Sequence, residues 1–151
     1  MWGKNCKMNH RYLFYVAPKE SLDSILKTGI LPPLDVHKLI AKNKLSREVL
    51  GVSYGLDSSN FQDYVSLLQT KQSMQIVAEA ICHSRTGRYN DPNFEAVAYV
   101  IDGNISKDNK FVSFEKVKEM HTDPYPGEVL YKGPISIKKI LYHHAIGTWN
   151  F

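Results

Sequence analysis

The order of apolar and polar residues cuts the chain into short segments. Tyr12-Leu-Phe-Tyr-Val-Ala17 is aromatic and β-branched without a polar break, which predicts a buried strand. Pro18 then opens a helix, where a missing N–H is harmless. Leu22, Ile25 and Leu26 share one face of it, Gly29 stands at its C-terminal cap, and Pro32-Pro33 block its resumption. A second helix is expected from Leu34 to about Lys44, and a short strand from Val49 to Tyr54. Phe61–Leu68 reads as a helix with Tyr64, Leu67 and Leu68 on one side, and Gln75–His83 as a strand. Ala96–Ile101 is apolar throughout and suits a central strand covered on both faces. Lys110–Phe114 is a strand candidate, Phe114–Met120 a helical turn, Glu128–Tyr131 a strand stopped by Gly133-Pro134, and Ile140–Ile146 a last strand. Helices come early and strands late, which predicts an α+β fold.

Composition narrows the class. With 151 residues, the chain suits one domain. It falls well short of the roughly 250 residues of a TIM barrel, and it shows no repeat period. An apolar share of 43% and a charged share of 23% are ordinary for a globular domain. The net charge of +4 permits an anionic partner without demanding one, because only Arg11, Arg47, Arg85 and Arg88 among the 19 basic residues are arginine. Cys6 and Cys82 form no CxxC pattern, no leader-like stretch stands at the start, and no apolar run approaches the roughly 20 residues of a membrane span. The expectation is a cytoplasmic protein that does not enter a membrane.

Several residues carry candidate chemistry. Gly51-Val-Ser-Tyr-Gly55 matches the G-x-S-x-G elbow, for which Ser53, Asp102 and His143 would form a hydrolase triad. A strand end bounded by glycines accounts for the same pattern more simply. The six histidines show no HExxH and no zinc-ligand spacing with cysteine, so no metal is expected. Arg85 and Arg88 lie in Ser84-Arg-Thr-Gly-Arg-Tyr-Asn-Asp-Pro92, which reads as a loop able to grip a phosphate or a nucleic-acid backbone, with a solvated turn as the plainer account. Glu128 opens an apolar strand after Asp123-Pro-Tyr-Pro-Gly127. A carboxylate at the mouth of a buried strand is a frequent catalytic placement, and an exposed strand-end glutamate is the alternative.

Two segments together resemble a known family. Residues 12–33 resemble the opening strand and "Leu-x-x-Ile-Leu-x-x-Gly-Leu" helix of ADP-ribosyltransferase-like domains. Residues 128–140, Glu-Val-Leu-Tyr-Lys-Gly-Pro-Ile-Ser-Ile-Lys-Lys-Ile, resemble their late strand, which a glutamate opens. The likeness is closest to the DarT-type enzymes, which modify thymidine in single-stranded DNA using NAD. It implies a split mixed β-sheet core with short helices, and NAD bound between the halves as substrate. Glu128 would be the catalytic residue, with Tyr15, Ser53 and Tyr54 contacting the nucleotide. The family's strand-one histidine aligns with Tyr15 and its threonine with Ala17, which is a departure from the pattern. The functions implied are transfer of ADP-ribose to a nucleic acid or protein, of the toxin or phage–host-conflict type, or binding of a nucleotide without turnover. The small serine hydrolase is the third expectation.

Overall fold

A computed structural model describes residues 11–46, 61–120 and 123–148. Ser53 and Tyr54, and with them the strand expected at Val49–Tyr54, lie outside the described residues. Strand β1 is Tyr12–Pro18. A 3-10 turn at Lys19–Ser21 leads into helix α1, Leu22–Thr28. Helix α2 is Pro33–Ala41, so Pro33 begins a helix as well as ending the preceding segment. Strand β2 is Tyr64–Leu67, helix α3 is Lys71–Thr86, and strand β3 is Ala96–Asp102. Strand β4 is Phe111–Val112, helix α4 is Phe114–Met120, strand β5 is Val129–Lys132, and strand β6 is Ile140–Ile146.

The strands form two three-stranded sheets, β1-β3-β6 and β2-β5-β4, and every pairing in them is antiparallel. Among the described residues, a single bridge joins them: the Phe14 N–H donates to the Leu68 carbonyl at 2.9 Å, and the Leu68 N–H donates back to Phe14 at 2.8 Å. The result is an α+β domain, as the order of elements predicts, whose sheet is split between β1 and β2, as the family resemblance implies.

Alternation of side chains assigns the two faces. Leu13 and Ala17 enter a core with Val65, Leu67, Val97, Tyr99, Val129 and Tyr131, and Tyr15 packs against it. Val16 and Leu68 turn to the opposite face with Ala96, Ala98 and Ile146, where Val77, Ala78 and Ile81 of α3 cover them. Both faces of β1 and β3 are therefore buried, which explains their continuous apolar runs. Leu130 lies under Val117 of α4 and beside Phe61.

Two segments exchange their expected states. Residues 75–83 are helical, inside α3, because Met74, Val77, Ala78, Ile81 and Cys82 recur at helical spacing and put one apolar stripe on the sheet. The Thr70 side chain caps α3 by accepting the Ser73 N–H at 3.1 Å, and Gly87 ends it at φ 80°. Residues 64–67 are extended rather than helical, because Val65 and Leu67 alternate inward while Tyr64 and Ser66 turn to the other face.

Candidate functional site

Glu128 stands at the end of the turn that Gly127 makes at φ 73°, immediately before β5. Its side chain is wholly buried. Burying a carboxylate is costly unless hydrogen-bond donors replace water. Here the Tyr125 N–H donates to Oε1 at 3.0 Å, and the Ser66 hydroxyl donates to Oε2. The turn itself is tied down from the connection after β2 and from α3. Gln69 Nε2 donates to the Gly127 carbonyl at 2.6 Å, and Ser73 Oγ donates to the Pro126 carbonyl at 2.5 Å. Ser66 of β2 thus holds the carboxylate, while Gln69 in the connection after β2 and Ser73 in the first turn of α3 fix the backbone on which Glu128 sits. The exposed strand-end reading of Glu128 is thereby excluded.

Ser66 alternates with Val65 and Leu67, so the Ser66–Glu128 contact lies on the face opposite the core that contains Tyr99. Phe14 is the β1 residue bridged to Leu68 on this Glu128 side. Tyr15 points the other way. Its ring packs 6.0 Å from that of Tyr99, and it borders a cavity of about 30 Å³ with Ser21, Ile25 and Leu31. Burial pushes the Tyr15 phenol up to about 12, so it is a neutral hydroxyl at physiological pH. The structure therefore does not bring Tyr15 and Glu128 to one cleft. A shift of one residue along a strand changes its face, and Phe14, not Tyr15, shares the Glu128 face.

The arginine pair is placed differently from the expectation as well. Arg85 belongs to the last turn of α3, not to a loop, and its Nη1 lies 3.9 Å from Glu20 Oε1. Arg88 follows the Gly87 cap and donates to Asp91 Oδ2 at 3.0 Å. The Asp91 carboxyl is held below its ordinary range, first by the Asn93 N–H and also by Arg88. Ser73 and Arg85 sit near opposite ends of α3, about 18 Å apart at 1.5 Å per residue. Arg85 and Arg88 are thus remote from the Glu128 turn. The proposed triad partners also separate: His143 pairs with Tyr99, whereas Asp102 lies at the end of β3 and accepts the Asn104 N–H at 2.9 Å.

A groove of about 470 Å³ opens on the Glu128 side of the β1-β3-β6 sheet. Phe14, Met74, Ala98 and Ile146 form its apolar lining, and Lys71 and His144 supply polar tips. Its volume is that of small-molecule sites. Sequence reading missed Ser66, Gln69, Ser73 and Phe14. The first stood in a segment read as a helix, and nothing in the pattern ties the others to residue 128.

Among the described residues, no three of His, Cys, Asp or Glu gather in a way that could hold a metal ion. Among them, too, no helix is long and apolar enough to cross a membrane. No family model matches the chain, and no curated protein matches it. Among solved structures, the chain is similar to one titled EcPltA, with a TM-score of 0.46 and 11% identity, over 91% of this chain and 76% of that one.

Proposed function

We propose that this protein breaks the nicotinamide–ribose bond of NAD and passes ADP-ribose to an acceptor, with Glu128 as its catalytic carboxylate. The observation that carries this reading is the buried Glu128 side chain, held by the Ser66 hydroxyl and the Tyr125 amide beside the junction of the two half-sheets. The likeness of residues 12–33 and 128–140 to ADP-ribosyltransferase-like domains supplies the reaction class. As the C1′–N bond lengthens, nicotinamide departs with the bonding pair and positive charge grows on the ribose. A fixed carboxylate facing that charge stabilises it without reorganising. The acceptor's lone pair then forms the new bond at C1′ and its proton is released. Ser66 holds the carboxylate in one orientation, which is the positioning that such chemistry needs. The acceptor proposed is a nucleic acid, single-stranded DNA first, with protein as the other class.

The test is incubation with NAD and single-stranded DNA, RNA or protein acceptors, with mass spectrometry for the ADP-ribose adduct and chromatography for free nicotinamide. Adduct formation that disappears in Glu128→Gln supports the reading. Absence of both products with every acceptor class overturns it. A second reading has its own support: Glu128 has no solvent exposure, and Tyr15 faces away from it. A module that binds a nucleotide without turnover would show thermal stabilisation by NAD and no nicotinamide release.

A further inference from the structure

Strand β6 forms an outer edge of the β1-β3-β6 sheet, and among the described residues no strand pairs with its outer side. Residues 141–145 are all exposed, with Leu141 at 48% and Tyr142 at 59%. Edge strands of this length usually carry Lys, Pro or an inward charge that blocks pairing with another chain. Ile140-Leu-Tyr-His-His-Ala-Ile146 carries none of these; its one irregularity is the bulge where β6 passes Val100 and Ile101.

We propose that β6 pairs antiparallel with β6 of a second copy of this chain, about a twofold axis at His143. The β1-β3-β6 sheets of the two copies then become one sheet of six strands. The sequence of the strand supports this register. In a twofold antiparallel pair, both the side-chain faces and the outward N–H and C=O groups match only when the axis passes through a residue. The bulge makes Leu141 the extra residue of β6, so the regular ladder begins at Tyr142, and the exposed rings of Tyr142 and His144 flank His143. Tyr142 then lies opposite the partner's His144, and the bulged Leu141 ends the regular pairing near the partner's Ala145. Tyr142 and His144 of one chain already stack, with centroids 6.3 Å apart and planes 27° from parallel. Twofold pairing brings them together with the partner's pair as a cluster of four rings on one face, two from each strand. Cross-strand aromatic pairs and apolar pairs of this kind are what stabilise antiparallel ladders.

Charge agrees with the same register. No Lys, Arg, Asp or Glu occurs in residues 140–146, and the nearest cations, Lys138 and Lys139, belong to the 3-10 turn Ile137–Lys139 that precedes the strand. Like charges therefore do not meet. Such an interface is isologous and closes at two copies. The partner's Tyr142 also adds a ring beside His144, at the rim of the groove that Phe14, Met74 and Ala98 line.

Sedimentation and site-specific cross-linking test the pairing. Over roughly three decades of concentration, up to about 0.5 mM, the chain should approach twice its 17.3 kDa mass. His143→Asp places two carboxylates on the axis and should weaken association at least about tenfold. In a Cys6→Ser background, His143→Cys should give a disulfide-linked dimer on oxidation, because the two sulfurs face each other across the axis. Leu141→Cys should not, because its partner position is Ala145. A monomer throughout the range overturns the proposal, as does a dimer indifferent to His143→Asp, or equal cross-linking of the two cysteine variants. If His143→Asp alters the circular dichroism spectrum, the cross-linking pair decides, and a partner protein bound in place of a second copy leaves both cysteine variants unlinked.

Discussion

Glu128 has its oxygens occupied by donors from two places in the chain, and the two simplest substitutions separate their roles. Glu128→Gln keeps the shape while removing the charge: its amide oxygen accepts the Tyr125 N–H and its amide nitrogen donates to Ser66 Oγ, which turns to accept. It should leave the thermal midpoint within a few degrees of the parent and lower nicotinamide release at least about a hundredfold, consistent with loss of a preorganised electrostatic contact. Retained release would remove Glu128 from the chemistry. Glu128→Ala also strands the Ser66 hydroxyl and the Tyr125 amide in a buried place, and should cost about 1–3 kcal/mol in urea unfolding. The phenols give a second test. Burial pushes Tyr15 and Tyr99 up to about 12 from the ordinary 10.0. A raised folded-state value means that their contribution to stability is complete below pH 10.0 and is lost as pH rises through about 12. Absorbance titration should show a late ionising component that shrinks in Tyr15→Phe and in Tyr99→Phe. If both variants leave that component unchanged, these residues are not its source. At this scale the sequence exposed Glu128 because a charge opening an apolar run stands out. Ser66 stayed hidden, because a serine inside Tyr64-Val-Ser-Leu-Leu68 signals nothing until β2 is laid beside β5. Tyr15 was joined to Glu128 by alignment, yet the pleat sends them to opposite faces.

The elements can be tested through their ends. Thr70 caps α3 through the Ser73 N–H, so Thr70→Ala should cost about 1 kcal/mol, read as a lower urea midpoint. Gly29 and Gly87 both have φ 80°, but their surroundings differ. A Cβ on Gly29 would sit 2.3 Å from the Ile135 carbonyl oxygen, inside the bridge by which Ile30 and Ile135 exchange hydrogen bonds of 2.9 and 2.8 Å. A Cβ on Gly87 meets nothing within 4 Å. Gly87→Ala should therefore cost only the backbone penalty of about 1 kcal/mol, whereas Gly29→Ala should cost several kcal/mol or prevent folding. Equal effects at the two sites would contradict the close approach. Element type was legible where one signal dominated. The β-branched and aromatic content of β1, the apolar run of β3 and the Gly29 stop all marked their elements correctly. It failed at 61–68, where the helical spacing of Tyr64, Leu67 and Leu68 competes with the alternation of Val65 and Leu67, and at 75–83, where apolar content masks a helical period. The stripe from Met74 to Cys82, the Thr70 cap and the Gly87 stop were all available as helix signals.

For the whole molecule, the split sheet was expected from a family likeness, and no local pattern contains it. Which strands meet depends on contacts between residues as distant as Phe14 and Leu68, and on burial that needs both faces of β1 covered. Leu68 is 2% exposed, and its truncation to alanine should cost about 2–5 kcal/mol. The loss should appear in one cooperative transition if the half-sheets fold as a unit. Two separated transitions would show that each half holds itself together.

The Phe14–Leu68 bridge also sets a clock. Glu128 has no solvent contact, so its surroundings must part before any ligand touches the carboxylate, and this bridge is the described backbone link between β1 and β2. Its two amides can exchange their hydrogens with heavy water only when that link opens. Measured one residue at a time, the exchange rates of Phe14 and Leu68 would give the frequency with which the molecule gapes. If the seam is the ligand's entrance, NAD would slow those two amides before it slowed the amides of α1.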